Sequence, residues 1–155
     1  MRIVIQRVSS SRVSADEKTV GEIGAGLCLF VGVSPADDAR TAAWAASKIA
    51  NLRIFEDSEG KMNRSLLDIG GEVLAISQFT LFADCRKGRR PSFIGAAEPS
   101  LANSLYESFA ANFREMGVSV KTGVFGAEMN VDIINNGPVT IILDTEDIMD
   151  KKGSV

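Results

Sequence analysis

Short apolar segments of strand length recur along this chain, and helical periodicity appears in only two places. Alternating or continuous apolar residues punctuated by glycine are typical of strands buried on one or both faces. They predict strands at residues 3–14, 19–23, 27–33, 52–55, 72–82, 118–122, 130–135 and 139–143. An alanine-rich stripe predicts a helix that begins at Ser34 and Pro35, and an apolar face predicts a second helix between Pro99 and Gly117.

The mixed order of these elements favours an α/β fold. We expect a strongly curved mixed sheet or barrel-like core of about eight strands, with two main helices packed outside. Residues 1–144 form a single predicted domain. The polar residues 56–68 are expected to form a loop, and residues 145–155 form a charged C-terminal tail to which no role is assigned.

The chain contains no histidine among its 155 residues. This absence removes serine–histidine and cysteine–histidine nucleophiles, histidine general bases and histidine metal ligands. The two cysteines, Cys28 and Cys85, lie far apart in the sequence and show no metal-binding spacing. We therefore expect reduced thiols, no metal site and no cofactor.

The amino-terminal apolar run is too short for a signal peptide, because Gln6 and Arg7 interrupt it. No segment approaches the roughly 18 uninterrupted apolar residues that a membrane span needs. These features predict a cytoplasmic protein that makes no membrane contact.

Four basic residues stand out against a formal net charge of −3: Arg86, Lys87, Arg89 and Arg90. The chain as a whole does not resemble a general nucleic-acid coat protein. A solvated loop and a contact to phosphate groups both fit this basic cluster, and the sequence leaves the two interpretations open.

The predicted strand at residues 72–82 carries polar residues in an apolar context. Regular alternation places Ser77 and Phe79 on one face, and Gln78 and Thr80 on the other. These polar groups either bond to neighbouring backbone or form the floor of a site. A nucleophilic hydroxyl is disfavoured because no histidine is available as a base, and the nearest acidic residue in sequence is Asp84.

Two features near the C-terminus also have alternative interpretations. Asn135-Asn136-Gly137-Pro138 is a sharp turn signal, and base rates alone favour an ordinary trans bond before Pro138. Phe125, Ala127 and Met129 alternate on one face, which fits core packing as well as a binding pocket.

An ordered series of motifs runs from residue 1 to about residue 144. The series includes Ser77-Gln78-Phe79-Thr80-Leu81, Arg90-Pro91-Ser92-Phe93 and Gly137-Pro138-Val139-Thr140. It also includes Ile5-Gln6-Arg7-Val8, Gly21-Glu22-Ile23-Gly24-Ala25-Gly26-Leu27 and Gly60-Lys61-Met62-Asn63. In this series the chain resembles the D-aminoacyl-tRNA deacylase family.

The resemblance implies a homodimeric editing enzyme whose partner is the 3′ end of an aminoacyl-tRNA carrying a D-amino acid or glycine. It assigns an active-site Ser-Gln-x-Thr motif to Ser77, Gln78 and Thr80. It assigns rejection of L-amino acids to a Gly-cisPro motif, Gly137–Pro138, that reaches into the pocket of the partner subunit. Arg7 is expected to hold that motif in place.

The resemblance also implies that the segment containing Met129 lines the pocket for the terminal adenosine. An aminoacyl ester is already activated, and the 2′-hydroxyl of the ribose can orient or activate the attacking water. Main-chain N–H groups around Phe79 and Thr80 are the candidates for oxyanion stabilisation. Two alternatives remain: a non-catalytic RNA-binding barrel, and a generic acyl-ester hydrolase that uses Thr80.

Overall fold

The computed structural model describes residues 1–149 and contains eight strands and four α-helices within that range. The strands are β1 (Arg2–Ala15), β2 (Lys18–Ile23), β3 (Gly26–Gly32), β4 (Phe55–Glu56), β5 (Met62–Arg64), β6 (Glu72–Ser77), β7 (Val120–Thr122) and β8 (Met129–Asp144). The helices are α1 (Ala39–Ala50), α2 (Leu66–Ile69), α3 (Pro99–Glu115) and α4 (Thr145–Met149), and a 3-10 helix spans Phe79–Phe82. Eight strands and two long helices confirm the predicted α/β class. No helix among residues 1–149 is both long and apolar enough to cross a bilayer.

The main sheet is organised around β1. Strand β8 runs antiparallel to nearly all of β1, whereas β3 pairs with the first half of β1 and β2 with the second half. Beyond β3 the sheet continues with β6, which pairs parallel to β3, and with β7, which pairs parallel to β6. Strand β2 curls back over β7, where a Cβ atom on Gly21 would lie 3.1 Å from the carbonyl oxygen of Thr122. The result is a nearly closed, barrel-like sheet, as the sequence predicts.

Apolar side chains form a cluster on each face of this sheet. The larger cluster lies between the sheet and the two long helices and includes Ile5, Leu29, Ala45, Phe109 and Phe113. The smaller cluster consists of Val8, Val13, Ile23, Cys28, Leu74 and Ile76. Strands β3 and β6 contribute to both clusters, which explains why their sequences are apolar without a break.

Helix α1 begins later than the sequence predicts. Its N-cap is Asp38, which accepts a hydrogen bond from the N–H of Thr41 at 2.8 Å. Ser34 instead donates its N–H to Asp37 at 2.7 Å, and Asp37 also binds the amino group of Met1. Because Asp37 holds Ser34 in a separate turn, the prediction that Ser34 caps the helix was wrong.

Other boundaries also differ from the predictions. Strand β4 covers Phe55–Glu56 instead of residues 52–55, and the expected loop at residues 56–68 contains β5 and most of α2, which a Ser65–Asp68 capping box begins. The expected tail starts with α4, whose buried Thr145 donates its N–H to the carbonyl of Met1 at 2.9 Å. Residues 150–155 of that tail lie outside the described residues.

Candidate active site

The Ser-Gln-Phe-Thr motif lies at a turn that follows β6. Pairing with β3 ends at Ser77, and Gln78 leads into the 3-10 helix. A Cβ atom on Gly32 would lie 3.1 Å from the carbonyl oxygen of Gln78, so this glycine makes room for the helix at the end of β3. The prediction of a strand through residue 82 was therefore wrong, and residues 77–80 do not alternate between two faces.

The hydroxyl of Thr80 is bound by its neighbour in the motif. Nε2 of Gln78 donates a hydrogen bond to Oγ1 of Thr80 at 2.5 Å. Among residues 1–149, no carboxylate or lysine nitrogen forms a hydrogen bond with the hydroxyl of Thr80 or Ser77. A hydroxyl without a base is a poor nucleophile, but the proton of Thr80 stays available for donation to a substrate oxygen.

Two main-chain N–H groups at this turn have no acceptor in the described part of the chain: those of Phe79 and Thr80. Their neighbours are paired, because Gln78 donates its N–H to Val31 at 2.8 Å and Leu81 donates its N–H to Gln78 at 3.3 Å. Adjacent unpaired N–H groups can stabilise negative charge that develops on a carbonyl oxygen.

The ring of Phe79 borders these N–H groups and is 57% exposed. It packs edge-on against Phe93, with 5.2 Å between the ring centroids. The exposed ring is an apolar surface beside the polar turn.

Met129 lies close to the end of β6. A Cβ atom on Gly123 would be 2.5 Å from Sδ of Met129 and 3.5 Å from Cδ1 of Ile76, the residue before Ser77. Met129 also packs against the smaller apolar cluster. The structure thus brings Met129 into the neighbourhood of the motif, and its contacts there include core packing.

Tyr106 fixes helix α3 against the same end of β6. Its hydroxyl donates a hydrogen bond to the carbonyl oxygen of Ala75 at 2.7 Å. Burial raises the pKa of Tyr106 to about 12, so the phenol is neutral and remains a donor at neutral pH.

The second predicted motif, Gly137–Pro138, forms a bulge inside β8. Gln6 of β1 pairs with Thr140 and Val8 pairs with Asn135, so residues 136–139 of β8 all lie opposite Arg7. The peptide bond between Gly137 and Pro138 is cis. The expectation of an ordinary turn between two strands was wrong, because β8 continues in the same direction on both sides of the bulge.

The buried side chain of Arg7 holds this bulge. Its Nε donates to the carbonyl oxygen of Asn136 at 3.0 Å, and its Nη1 donates to the carbonyl oxygen of Ile54 at 2.8 Å. Nη2 of Arg7 lies 3.9 Å from Oε1 of Glu56, which supplies an opposite charge. Arg7 therefore connects the bulge to the segment that leads into β4.

Gly137 is closely packed against Arg7. A Cβ atom there would lie 2.9 Å from Nη2 of Arg7 and 3.1 Å from the backbone nitrogen of Val139. The φ angle of Gly137 is 122°, which L-residues with a side chain rarely adopt. This position therefore requires glycine.

One chain does not unite the two motifs. Arg7 pairs with Leu27, and Leu27 pairs with Val73, which is four residues before Ser77. Along the curved surface of the sheet, the bulge is thus about 13 Å from Ser77 in the strand direction and about 14 Å across three strand spacings.

A groove of about 870 Å³ lies beside the 3-10 helix and is lined by residues that include Arg2, Phe82, Cys85 and Ile94. None of Ser77, Gln78, Phe79 and Thr80 lines it. The side chain of Arg2 forms part of the wall of this groove, and it donates hydrogen bonds from Nη1 to the carbonyl oxygen of Leu81 and from Nε to the carboxylate of Asp144. We therefore place the candidate site at the turn that carries Ser77, Gln78, Phe79 and Thr80 and not in this groove.

The described residues offer no evident metal site. Among residues 1–149, no group of three or more cysteine, aspartate or glutamate side chains is arranged to hold an ion. Cys28 is buried, and Cys85 is exposed on the loop after the 3-10 helix.

Comparison with known proteins decides the family. The family described as D-Tyr-tRNA(Tyr) deacylase matches residues 4–144. A protein from Thermomicrobium roseum, named D-aminoacyl-tRNA deacylase, is 57% identical over 148 residues, which cover 96% of both chains. This chain belongs to the D-Tyr-tRNA(Tyr) deacylase family.

Two solved structures resemble this deacylase-family chain. One, named c-Myc DNA Unwinding Element Binding Protein, is 38% identical with a TM-score of 0.86, over 93% of this chain and 98% of that one. The other, titled "a probable eukaryotic D-amino acid tRNA deacylase", is 19% identical with a TM-score of 0.79, over 92% of this chain and 97% of that one. The second likeness concerns the fold alone.

Sequence reasoning missed three residues that position the site of this deacylase-family chain. Gly32 makes room for the 3-10 helix, Tyr106 fixes α3 against β6, and Arg2 ties the 3-10 helix to the end of β8. Each acts through a contact between segments distant in sequence. Only Tyr106 carried a local signal, because its polar hydroxyl lies on the apolar face of α3.

Proposed function

We propose that this protein hydrolyses the ester bond of D-aminoacyl-tRNA, and of glycyl-tRNA formed by mischarging, and releases free tRNA and the amino acid. Membership of the deacylase family supports the reaction class. The observation that carries the proposal is the turn at residues 77–80, which among residues 1–149 has two N–H groups without an acceptor and a hydroxyl donor with no carboxylate or lysine bound to it. Such a site suits an activated ester whose substrate helps to activate the water.

The bond changes follow from that arrangement. A water oxygen attacks the carbonyl carbon, and the negative charge that develops on the carbonyl oxygen is stabilised by the N–H groups of Phe79 and Thr80. The bond to the 3′-oxygen of the ribose then breaks, and that oxygen takes up the proton that the attacking water gives up. The 2′-hydroxyl next to it orients or activates the water. One oxyanion donor contributes about 2.7–4 kcal/mol to such a transition state.

Selection against L-amino acids is assigned to main-chain atoms of the Gly137–Pro138 bulge. Backbone placed where an L side chain would lie rejects it by overlap, whereas a D-amino acid or glycine fits. The clamp of Arg7 on Asn136 supports this role, because the bulge must not yield to the side chain it excludes.

The bulge is proposed to act on the pocket of a second copy of the chain. Its distance from the Ser77 turn within one chain supports this arrangement. Strand β8 also pairs only with β1 among the described elements, and it exposes Ile134 and Ile142 at 59% and 70%. An unpaired edge with exposed apolar side chains is a common site of association.

The main test is deacylation of matched D- and L-aminoacyl-tRNA by the purified protein. We expect rapid release from the D-ester and from glycyl-tRNA, with the L-ester left intact. Equal cleavage of both enantiomers would indicate a generic ester hydrolase, and tRNA binding without turnover would indicate a binding module. Sedimentation of the active protein should show a dimer, and full activity of a monomer would contradict the shared site.

Two further substrates and variants separate the catalytic roles. A tRNA that ends in 2′-deoxyadenosine should be cleaved poorly, and normal cleavage would refute assistance by the 2′-hydroxyl. Thr80→Ala should retain appreciable activity, with Thr19→Ala as a matched exposed control. A stable acyl-enzyme trapped on Thr80 would instead establish covalent catalysis.

A further inference from the structure

The basic cluster forms a hairpin that starts immediately after the 3-10 helix. Asp84 and Ser92 exchange two backbone hydrogen bonds, of 2.7 and 3.0 Å, and these close the hairpin. Gly88 occupies its turn with a φ angle of 69°. Phe93, the residue after the hairpin, packs against Phe79. The hairpin is thus attached to the candidate active site at both of its ends.

The four basic residues of this hairpin are not equivalent. Arg86 forms two side-chain hydrogen bonds with Asp84, from Nε at 2.9 Å and from Nη2 at 2.7 Å, and Asp84 also accepts the N–H of Arg86. The charge of Arg86 is therefore balanced within the hairpin. Among residues 1–149, no carboxylate forms an ion pair with Lys87, Arg89 or Arg90, and all three are exposed.

Three unbalanced positive charges within four positions give the folded chain no evident benefit. These three like charges are held close together and repel one another. They are also concentrated at one place in a protein whose net charge is −3. A polyanion that binds here would offset this repulsion. The bidentate Asp84–Arg86 pair meanwhile gives the hairpin a defined base, from which the other cations extend.

We propose that the hairpin at residues 84–92 binds phosphates of the tRNA acceptor arm, with Lys87, Arg89 and Arg90 as the phosphate-contacting residues and Arg86 as a structural residue. This inference rests on the proposed function for the identity of the RNA. The eight residue-to-residue steps from Thr80 to Gly88 can span at most about 28 Å. At about 3.4 Å per nucleotide step, the contacts lie within about eight steps of the ester. They are therefore in the acceptor arm and not in a distant part of the tRNA.

The probe is an uncharged RNA minihelix that contains the acceptor stem and the single-stranded 3′ end. Its binding is measured by fluorescence anisotropy as a function of salt, for the wild type and for Lys87→Gln/Arg89→Gln/Arg90→Gln. The matched control is Lys18→Gln/Arg40→Gln/Lys48→Gln, which removes the same charge from exposed positions elsewhere. Thermal unfolding and sedimentation check that both triple variants keep the wild-type fold and oligomeric state.

The expected difference follows from counterion release. Three lost phosphate contacts reduce the slope of log K against log salt by about 2.1–2.7, so a fourfold rise in salt weakens the wild type about 20–40-fold more than the hairpin variant. The control variant should keep the wild-type slope. A hairpin variant with the wild-type slope, an equal loss in the control, or a change of oligomeric state in the hairpin variant would overturn the inference.

Hydrolysis of two D-esters then separates this inference from the proposed function. The hairpin variant should show a raised KM for the D-aminoacyl-minihelix but wild-type rates on D-aminoacyl-adenosine, which carries no phosphate. Loss of activity on the nucleoside ester would place the cations in the active site and overturn the inference. If the wild type binds the minihelix through the hairpin yet hydrolyses neither ester, the proposed reaction fails and the phosphate-binding role stands.

Discussion

Removal of the Arg7 guanidinium tests whether a buried clamp holds the Gly137–Pro138 bulge. The side chain of Arg7 is only 5% exposed, and it donates to the carbonyl oxygens of Asn136 and Ile54. Arg7→Met keeps a long apolar stem but removes both hydrogen bonds. Arg7→Lys keeps the charge, and its single nitrogen cannot reproduce the planar, divergent donors of arginine.

The magnitude follows from the two bonds. A hydrogen bond to a charged group contributes about 1.5–3 kcal/mol, so two such bonds contribute about 3–6 kcal/mol. Part of this loss is offset because methionine does not bury a charge. We therefore expect Arg7→Met to lower the free energy of unfolding by about 2–4 kcal/mol, with a smaller loss for Arg7→Lys.

The assay combines urea denaturation with deacylation of D- and L-aminoacyl-tRNA. We expect both Arg7 variants to lose discrimination between the enantiomers, because a loosened bulge can move away from an L side chain. Arg12→Gln is the control, since Arg12 lies on the same strand but forms an exposed pair with Asp132. An Arg7→Met protein with wild-type stability and an unchanged ratio of D to L cleavage would refute the reasoning.

Three further predictions concern residues around the site. Tyr106→Phe should lower the free energy of unfolding by about 1 kcal/mol at neutral pH, because the hydrogen bond to Ala75 is lost. Burial raises the folded-state pKa of Tyr106 from 10.0 to about 12, so the stability that the neutral phenol contributes is present below pH 10 and is lost as the pH rises to about 12. Urea denaturation at pH 10 and at pH 12 should therefore show a larger drop in the free energy of unfolding for the wild type than for Tyr106→Phe. Gly32→Ala should reduce D-ester hydrolysis about tenfold with a small change in melting temperature, because its Cβ displaces the 3-10 helix; wild-type activity would contradict this. Hydrogen bonds from Arg86 lower the pKa of Asp84 from 3.8 to about 2. The backbone hydrogen bonds between Asp84 and Ser92 should therefore persist above pH 4 and weaken as the pH falls to about 2, and amide hydrogen exchange at Ser92 measures this change.

The sequence predicted the sheet and the long helices because their signals are local. An apolar run such as residues 27–33 must be buried on both faces wherever it lies, and β3 contributes to both apolar clusters. The spacing of Leu105, Phe109 and Phe113 likewise fixes one buried face of α3. These predictions needed no knowledge of the partner elements.

The errors occurred where a distant segment decides the local structure. Nothing near Thr80 in the sequence indicates that the strand stops at Ser77, because the space for the 3-10 helix comes from Gly32 on another strand. The start of α1 depends on Asp37, which is occupied by the amino group of Met1. Local propensity favoured a cap at Ser34, and the tertiary contact prevailed.

The bulge in β8 shows how the resemblance and the residue chemistry complement each other. Turn propensity at Asn135–Pro138 correctly indicated that regular pairing fails, but it predicted a turn between two separate strands. Because β8 pairs with β1 on both sides of these residues, the extra residues leave the sheet as a protrusion opposite Arg7. A protrusion held by a buried arginine, and separated from the Ser77 turn of its own chain, has no evident function within one subunit. The same geometry that made the local prediction wrong therefore supports the proposal that a second copy of the chain completes the site.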